Sequence, residues 1–221
     1  MNPSALKSTP AAALATDLDG TFIPLPETAN QQESLRLIGA ALAKRGAALI
    51  FVTGRHLESV LEAISHYALP QPDWVISDVG TDIHHDRDGE FTALPDYRAH
   101  LLALTAGQDR TALEGEIGEL PAGLVRQPEA HQRPFKLSYY TDIEHLAAMT
   151  EILGERLGAI GWPWRPLSSV DPFGQRGLID ILPSEVHKAH AIDWLVHWLD
   201  LDRDEVVFAG DSNNDYAALI A

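Results

Sequence analysis

The chain of 221 residues is long enough for one large domain or two modest ones with a real core. Its 32 acidic residues against 16 basic ones give a formal charge of -16, which disfavours nucleic acid and anionic membranes as partners and means that any phosphate site must be built locally, from a metal, a lysine and backbone N–H groups. The absence of cysteine excludes disulfides and thiolate metal sites and fits a cytoplasmic protein, and no stretch is apolar for long enough to span a membrane.

Met1–Pro10 lacks the apolar core of a signal peptide and reads as a loose tail. The short apolar run that follows ends in Asp17-Leu18-Asp19-Gly20-Thr21, the pattern of a buried strand in a parallel sheet. Residues i and i+2 at the end of a strand point the same way, so Asp17 and Asp19 should face one crevice, where open α/β sheets bind ligands. Two carboxylates so placed repel unless a cation or a shared proton compensates, and Mg2+ is the leading hard divalent candidate. Gly20 permits a tight exit, and Thr21 offers a hydroxyl and an N–H to an anion. Alone, the motif also fits an acidic loop with a helix cap.

Thr28 and Gln31 form a capping-box pattern ahead of a helix carrying Leu35, Ile38 and Leu42, closed by Lys44, Arg45 and Gly46. Ala47–Val52 is a second buried strand followed by Thr53-Gly54-Arg55, a second helix carries Leu57, Leu61, Ile64 and Ala68, and Trp74–Ser77 is a third strand. This β-α-β-α-β order with short connections predicts a parallel α/β sheet.

The rhythm changes after Gly80. Asp88-Gly89 suggests a hairpin, Pro95–Thr105 and Thr111–Leu120 look helical, and Phe135, Leu137 and Tyr139 alternate with polar neighbours as in a half-buried strand. Thr141 and Glu144 repeat the capping-box pattern before a stripe of Leu146, Met149, Leu153 and Leu157, and Trp162–Val170 and Gly177–Leu182 look extended. The α/β pattern returns from Pro183: Lys188 opens a helix with Ile192, Leu195, Val196 and Leu199, and Val206–Ala209 is a buried strand ending in Gly210-Asp211-Ser212-Asn213-Asn214-Asp215. The middle block therefore reads as an α+β unit at 84–183 inserted into a core of 1–83 and 184–221. His84-His85 and the pair His187 and His190 read as surface histidines, having no third ligand nearby in sequence.

In order, DLDGT at 17–21, VTGR at 52–55, Lys188 and GDSNND at 210–215 resemble the haloacid dehalogenase (HAD) superfamily of phosphatases. The inserted block is similar to that superfamily's α/β cap of type IIB. VISDVGTDI at 75–83, FKLSYY at 135–140 and LIDILPSEVHKAHAIDWL at 178–195 look like its sucrose-phosphate phosphatase group. The resemblance implies an α/β fold, a parallel, doubly wound (Rossmann-like) core with an inserted α+β cap. Family members continue past the last motif through a further strand and helix, so it also implies an open sheet edge beside Val206–Ala209. Asn213 stands where the family usually has Gly; Asn is the non-Gly residue that best tolerates a left-handed turn.

The resemblance also implies residue roles. Asp17 would be the nucleophile that forms an aspartyl-phosphate, and Asp19 the acid and base for leaving group and water. Thr53 would donate its hydroxyl to the phosphoryl group, with Gly54, Arg55 and Asn214 as further substrate contacts, and Lys188 would balance the negative charge. Asp17, the Asp19 carbonyl and Asp211 would hold Mg2+, supported by Asp215. In the cap, Lys136 is the main sugar-binding candidate, with His131, Arg133, Tyr140 and Asp180 beside it. The implied activity is hydrolysis of sucrose 6-phosphate or a related glycosyl phosphate. Glycosyl-glycerate or glycosyl-glycerol phosphates, or a non-catalytic regulatory module, are the alternatives, and a glycosyltransferase of the same pathway is the candidate protein partner.

Overall fold

A computed structural model of the chain describes residues 12–23, 31–170, 176–211 and 215–220. The expected N-terminal tail, Thr28 of the first capping box, and Ser212, Asn213 and Asn214 lie outside them. In chain order the elements are β1 (Ala13–Thr16), α1 (Gln31–Arg45), β2 (Ala48–Val52), α2 (Leu57–Tyr67), β3 (Trp74–Ser77), β4 (Asp82–Arg87), β5 (Glu90–Ala93), α3 (Pro95–Leu104), α4 (Arg110–Ile117), β6 (Val125–Arg126), β7 (Leu137–Asp142), α5 (Leu146–Ile160), β8 (Trp164–Val170), β9 (Arg176–Pro183), α6 (Lys188–Trp198), β10 (Val206–Ala209) and α7 (Tyr216–Leu219). The chain divides into two compact units, residues 1–97 with 186–221 and residues 98–185. Among the described residues, no helix is long and apolar enough to cross a membrane.

The first unit is built on a six-stranded sheet of order β10-β1-β2-β3-β4-β5. The first four of these strands are parallel. Every residue of β2 is buried, because both faces of the sheet are covered. On one face Leu49, Phe51 and Val75 pack with Leu35, Val60 and Ala63 from α1 and α2. On the other, α6 packs against β3, and the Trp74 and Trp198 rings meet edge to face at 5.7 Å.

The β4–β5 hairpin belongs to this sheet. Asp88 (φ +55°) and Gly89 (φ +91°) make the two-residue turn that Asp-Gly favours, and β4 pairs antiparallel with β3, placing Ile83 opposite Ile76 with both fully buried. The sequence reading placed 84–97 in the insertion; the core unit instead runs through Tyr97. The hairpin's alternation shows that two strands pair but carries no information on which sheet edge they join.

The second unit has an antiparallel sheet of order β6-β7-β9-β8. Leu137, Tyr139, Ile179 and Ile181 point to the face covered by α5, where Leu153 and Leu157 meet them. Gly177 is required there: a Cβ would lie 2.8 Å from Leu146 Cδ1. The expected Thr141–Glu144 capping box does not form. Thr141 is still inside β7, a 3-10 turn at Ile143–His145 comes between, and α5 starts without a side-chain cap.

Candidate active site

β1 lies between β10 and β2, with Thr16 in register with Ala209 on one side and Phe51 on the other. The three strands thus end level, and the connections leaving them carry Asp17, Asp211 and Thr53. This is the point where strand order reverses, and the crevice at such carboxyl ends is where open α/β sheets place ligands. Past Asp17, whose N–H donates to the Ala209 carbonyl at 2.9 Å, the chain makes one irregular turn over Leu18–Phe22, in which Gly20 takes φ +83°.

Lys188 is the first residue of α6, and its side chain is buried against the strand ends. Its Nζ donates to Asp17 Oδ1 at 2.8 Å and to Asp215 Oδ1 at 2.7 Å. Asp17, Lys188 and Asp215 are 5%, 1% and 0% exposed. Burial pushes the Asp17 carboxyl above its usual range; attraction to Lys188 opposes this shift and repulsion from Asp215 adds to it. One ammonium therefore faces two buried carboxylates, and Asp211 brings a third. Oxygens of Asp17, Asp211 and Asp215 lie within 4.8 Å of one another.

Two glycines make this approach possible. A Cβ on Gly20 would lie 2.4 Å from Asp211 Oδ2, and one on Gly210 would lie 2.6 Å from Asp215 Cγ. The Thr21 hydroxyl donates to Asp211 Oδ1 at 2.6 Å, fixing that carboxylate. A cluster of oxygen donors with uncompensated negative charge fits a hard divalent cation, and Mg2+ suits it.

Asp19 does not join this cluster with its carboxylate. Arg55 grips it with two bonds, Nε to Oδ2 at 2.7 Å and Nη2 to Oδ1 at 2.6 Å, while Nη1 donates to Ser59 Oγ at 3.1 Å. The bond to Asp19 holds the guanidinium proton above its ordinary affinity. Thr53 is buried beside this pair, its Oγ1 accepting the Arg55 N–H at 3.1 Å. Asp17, Thr53, Gly54, Arg55, Lys188, Asp211 and Asp215 thus gather within the first unit, with Asp19 at its exposed rim. Asn214 lies outside the described residues.

Lys136 is buried in the second unit, just before β7 and in line with Ser138 and Tyr140 on the face opposite α5. On that face Ser138 Oγ donates to Asp180 Oδ1 at 2.6 Å, and the Arg176 guanidinium lies 5.3 Å from the Tyr140 ring centroid. The sequence left open that Arg55 pairs with a surface carboxylate, as it does, but did not identify that carboxylate as Asp19 and missed Ser59, for which the four-residue spacing from Arg55 across the start of α2 was the available signal.

The family model described as sucrose-6F-phosphate phosphohydrolase matches residues 10–221. A putative HAD-like hydrolase of Nitrosococcus oceani is 36% identical over 93% of this chain and 56% of its own length. A glucosylglycerol-phosphate synthase of Pseudomonas anguilliseptica is 35% identical over 93% of this chain and 24% of its own. A mannosylfructose-phosphate phosphatase of Agrobacterium fabrum is 29% identical over 94% and 78%. The chain thus spans about half or less of the length of the first two relatives. The crystal structure of a Synechocystis sucrose-phosphatase, solved with sucrose and phosphate, shares the fold with a TM-score of 0.74 at 24% identity, over 96% of this chain and 79% of that one. The site described above sits on a HAD core with a type IIB arrangement of the inserted unit, and the chain belongs to the sucrose-6F-phosphate phosphohydrolase family of the HAD superfamily of hydrolases.

Proposed function

We propose that the protein is a Mg2+-dependent phosphatase that hydrolyses a glycosyl phosphate through an aspartyl-phosphate on Asp17. The observation that carries this reading is the convergence of Lys188 and three carboxylates at the ends of β1 and β10. A phosphoryl group brings further negative charge to a site that already has an excess, so a cation is needed before an ester can approach. Asp17, Asp211 and Asp215, with the Asp19 carbonyl, would hold Mg2+, which when bound supplies charge neutralisation.

An Asp17 oxygen attacks phosphorus while the ester oxygen leaves with a proton from Asp19. Water then attacks the acyl phosphate, gives its proton to Asp19, and frees inorganic phosphate and Asp17. Lys188 and the Thr53 hydroxyl stabilise charge on the phosphoryl oxygens, with Gly54 and Asn214 alongside. Arg55, expected at the substrate, instead holds both oxygens of the Asp19 carboxylate in this structure, and one of these bonds must open before Asp19 can carry the proton that it gives to the leaving group. In the second unit, Lys136, Tyr140 and Asp180 are the proposed contacts for the sugar, where donors, acceptors and an aromatic face suit a pyranose.

The names of the relatives favour a disaccharide phosphate such as sucrose 6-phosphate. The likeness to a glucosylglycerol-phosphate synthase favours a second reading, a glycosyl-glycerol phosphate, with a glycosyltransferase of the same pathway as partner. The test is kcat/KM with Mg2+, and after chelation, across sucrose 6-phosphate, mannosylfructose phosphate, glucosylglycerol phosphate, glucose 6-phosphate and an aryl phosphate. A preference for one glycosyl phosphate that chelation abolishes is expected. Equal rates on all esters would sink the glycosyl reading, and no hydrolysis of any would sink the phosphatase.

A further inference from the structure

Between β3 and β4 the chain makes a turn that sheet pairing does not demand. Asp78, Val79 and Gly80 have φ of +51°, +62° and +98°, three left-handed residues in a row, all buried. Valine is β-branched and resists this region strongly, so its surroundings must hold it there.

Those surroundings are the two parts of the phosphate site. On one side, the Asp78 N–H donates to the Arg55 carbonyl at 2.9 Å and the Val79 N–H to the Thr53 carbonyl at 3.1 Å. Val79 Cγ2 lies 3.9 Å from where a Cβ of Gly54 would be, so the isopropyl group packs on that glycine. On the other side, Gly80 abuts the residue before Lys188: a Cβ there would lie 2.6 Å from the His187 carbonyl oxygen and 3.2 Å from the Lys188 nitrogen. The buried Tyr97 hydroxyl donates to the Gly80 carbonyl at 2.6 Å and clamps the turn. A right-handed or extended path would turn these N–H groups away from the loop.

We infer that the Asp78–Gly80 turn is a positioning device that sets the separation between the Thr53–Arg55 loop and Lys188, so that both reach one phosphoryl group. Val79 and Gly80 are positioning residues. The inference rests on the phosphatase reading, and its test is arranged so that the two can fail separately.

The experiment compares wild type with Gly80→Ala, Val79→Gly and Val79→Asn. It measures kcat and KM on an aryl phosphate with Mg2+, the inhibition constant of inorganic phosphate, and the rise in melting midpoint that inorganic phosphate causes. Gly80→Ala should lower kcat about a hundredfold, since a displacement of about 1 Å has that cost. If that variant does not fold, the valine pair decides. Both valine variants lose the isopropyl group, but asparagine favours the left-handed region whereas glycine leaves the turn free to depart from it. Val79→Asn should keep kcat and phosphate inhibition within about threefold of wild type, and Val79→Gly should lose about tenfold in both at a similar melting midpoint. Equal kcat and phosphate inhibition in the two valine variants would overturn the inference, as would a folded Gly80→Ala with unchanged kcat. A wild-type protein that hydrolyses no ester would sink the phosphatase reading alone, and the phosphate-induced melting shifts would still decide the turn.

Discussion

In the first unit a lysine lies between two aspartates with all three side chains buried; in the second, Arg110 and Arg126 share Glu114 and Glu129 across 2.5–3.3 Å with Glu129 69% exposed. The residue types are alike, but the energetics are opposite. Water reaches the second cluster mainly through Glu129, while Arg110, Glu114 and Arg126 are 17%, 28% and 34% exposed; its charges are screened in part and its members lose side-chain entropy to hold one geometry, so it adds less to stability than its ion pairs suggest. The first cluster has lost its hydration, carries a net negative charge, and is held in place by α6 and by glycines that let the carboxylates approach. Such a group is costly to the fold, and its position at level strand ends indicates what it is kept for.

The largest effect should come from removing Asp17, the proposed nucleophile. Asp17→Asn is nearly isosteric and leaves an amide that cannot be phosphorylated productively, so phosphate release should fall about a thousandfold or more while the circular dichroism spectrum stays that of wild type. Wild-type-like turnover would break the functional half of the comparison.

Lys188→Met should follow. It strands Asp17 and Asp215 as buried like charges and should cost about 3–5 kcal/mol in denaturant unfolding. Changing Asp17 and Asp215 to Asn in the same chain should return much of that loss, because the penalty belongs to the uncompensated charges rather than to the lysine's packing.

The metal-free protein should also show the cost of the site in its pH dependence. Burial raises the Asp17 carboxyl above its ordinary value of 3.8, so the native state binds this proton more tightly than the unfolded chain does. The group's contribution to stability is fully present below 3.8 and is lost as pH rises through the raised native value. Melting midpoints recorded against pH should fall over that window in wild type and less so in Asp17→Asn. At neutral pH, Mg2+ at a hundred times its Kd should return about 2.7 kcal/mol.

The smallest effect belongs to the partly exposed network of the second unit. Arg126→Met should move the melting midpoint by only about one or two degrees, and a little more at low salt than at high salt. A shift as large as that of Lys188→Met would erase the contrast between the two clusters.

Much of the first unit was legible in the sequence because its signals are local. Apolar runs ending in Asp17, Thr53 and Asp211 mark strand ends, and a parallel sheet brings such ends together whatever the loops between them do. The inserted unit was legible as strands and helices but not in its limits. Ile83 and His84 carry no mark of which sheet they enter, and β6, a strand of two residues, is too short to have a period. The partners of Arg55 were hidden because a guanidinium can serve a phosphate or a carboxylate equally well. Val79 misleads outright: its residue type argues for extended backbone, and the hydrogen bonds that the Val79 and Asp78 N–H groups donate to the Thr53 and Arg55 carbonyls, with the Tyr97 clamp on Gly80, override that preference.

The bond from Lys188 to Asp17 joins residues 171 positions apart, and β1 pairs with β10 across nearly the whole chain. Closing a loop of that length adds only about 0.6 kcal/mol per doubling, and folding of the intervening unit shortens the gap that remains. The carboxylate cluster cannot exist until β10 has docked, whereas β1, β2 and β3 can pair from sequence neighbours alone. Long-range pairing of this kind forms slowly. During refolding, the proposed phosphatase activity should therefore return as a late phase, after the helical signal has been recovered, and a chain paused between the two would expose the flank of β1 to any strand that reached it first.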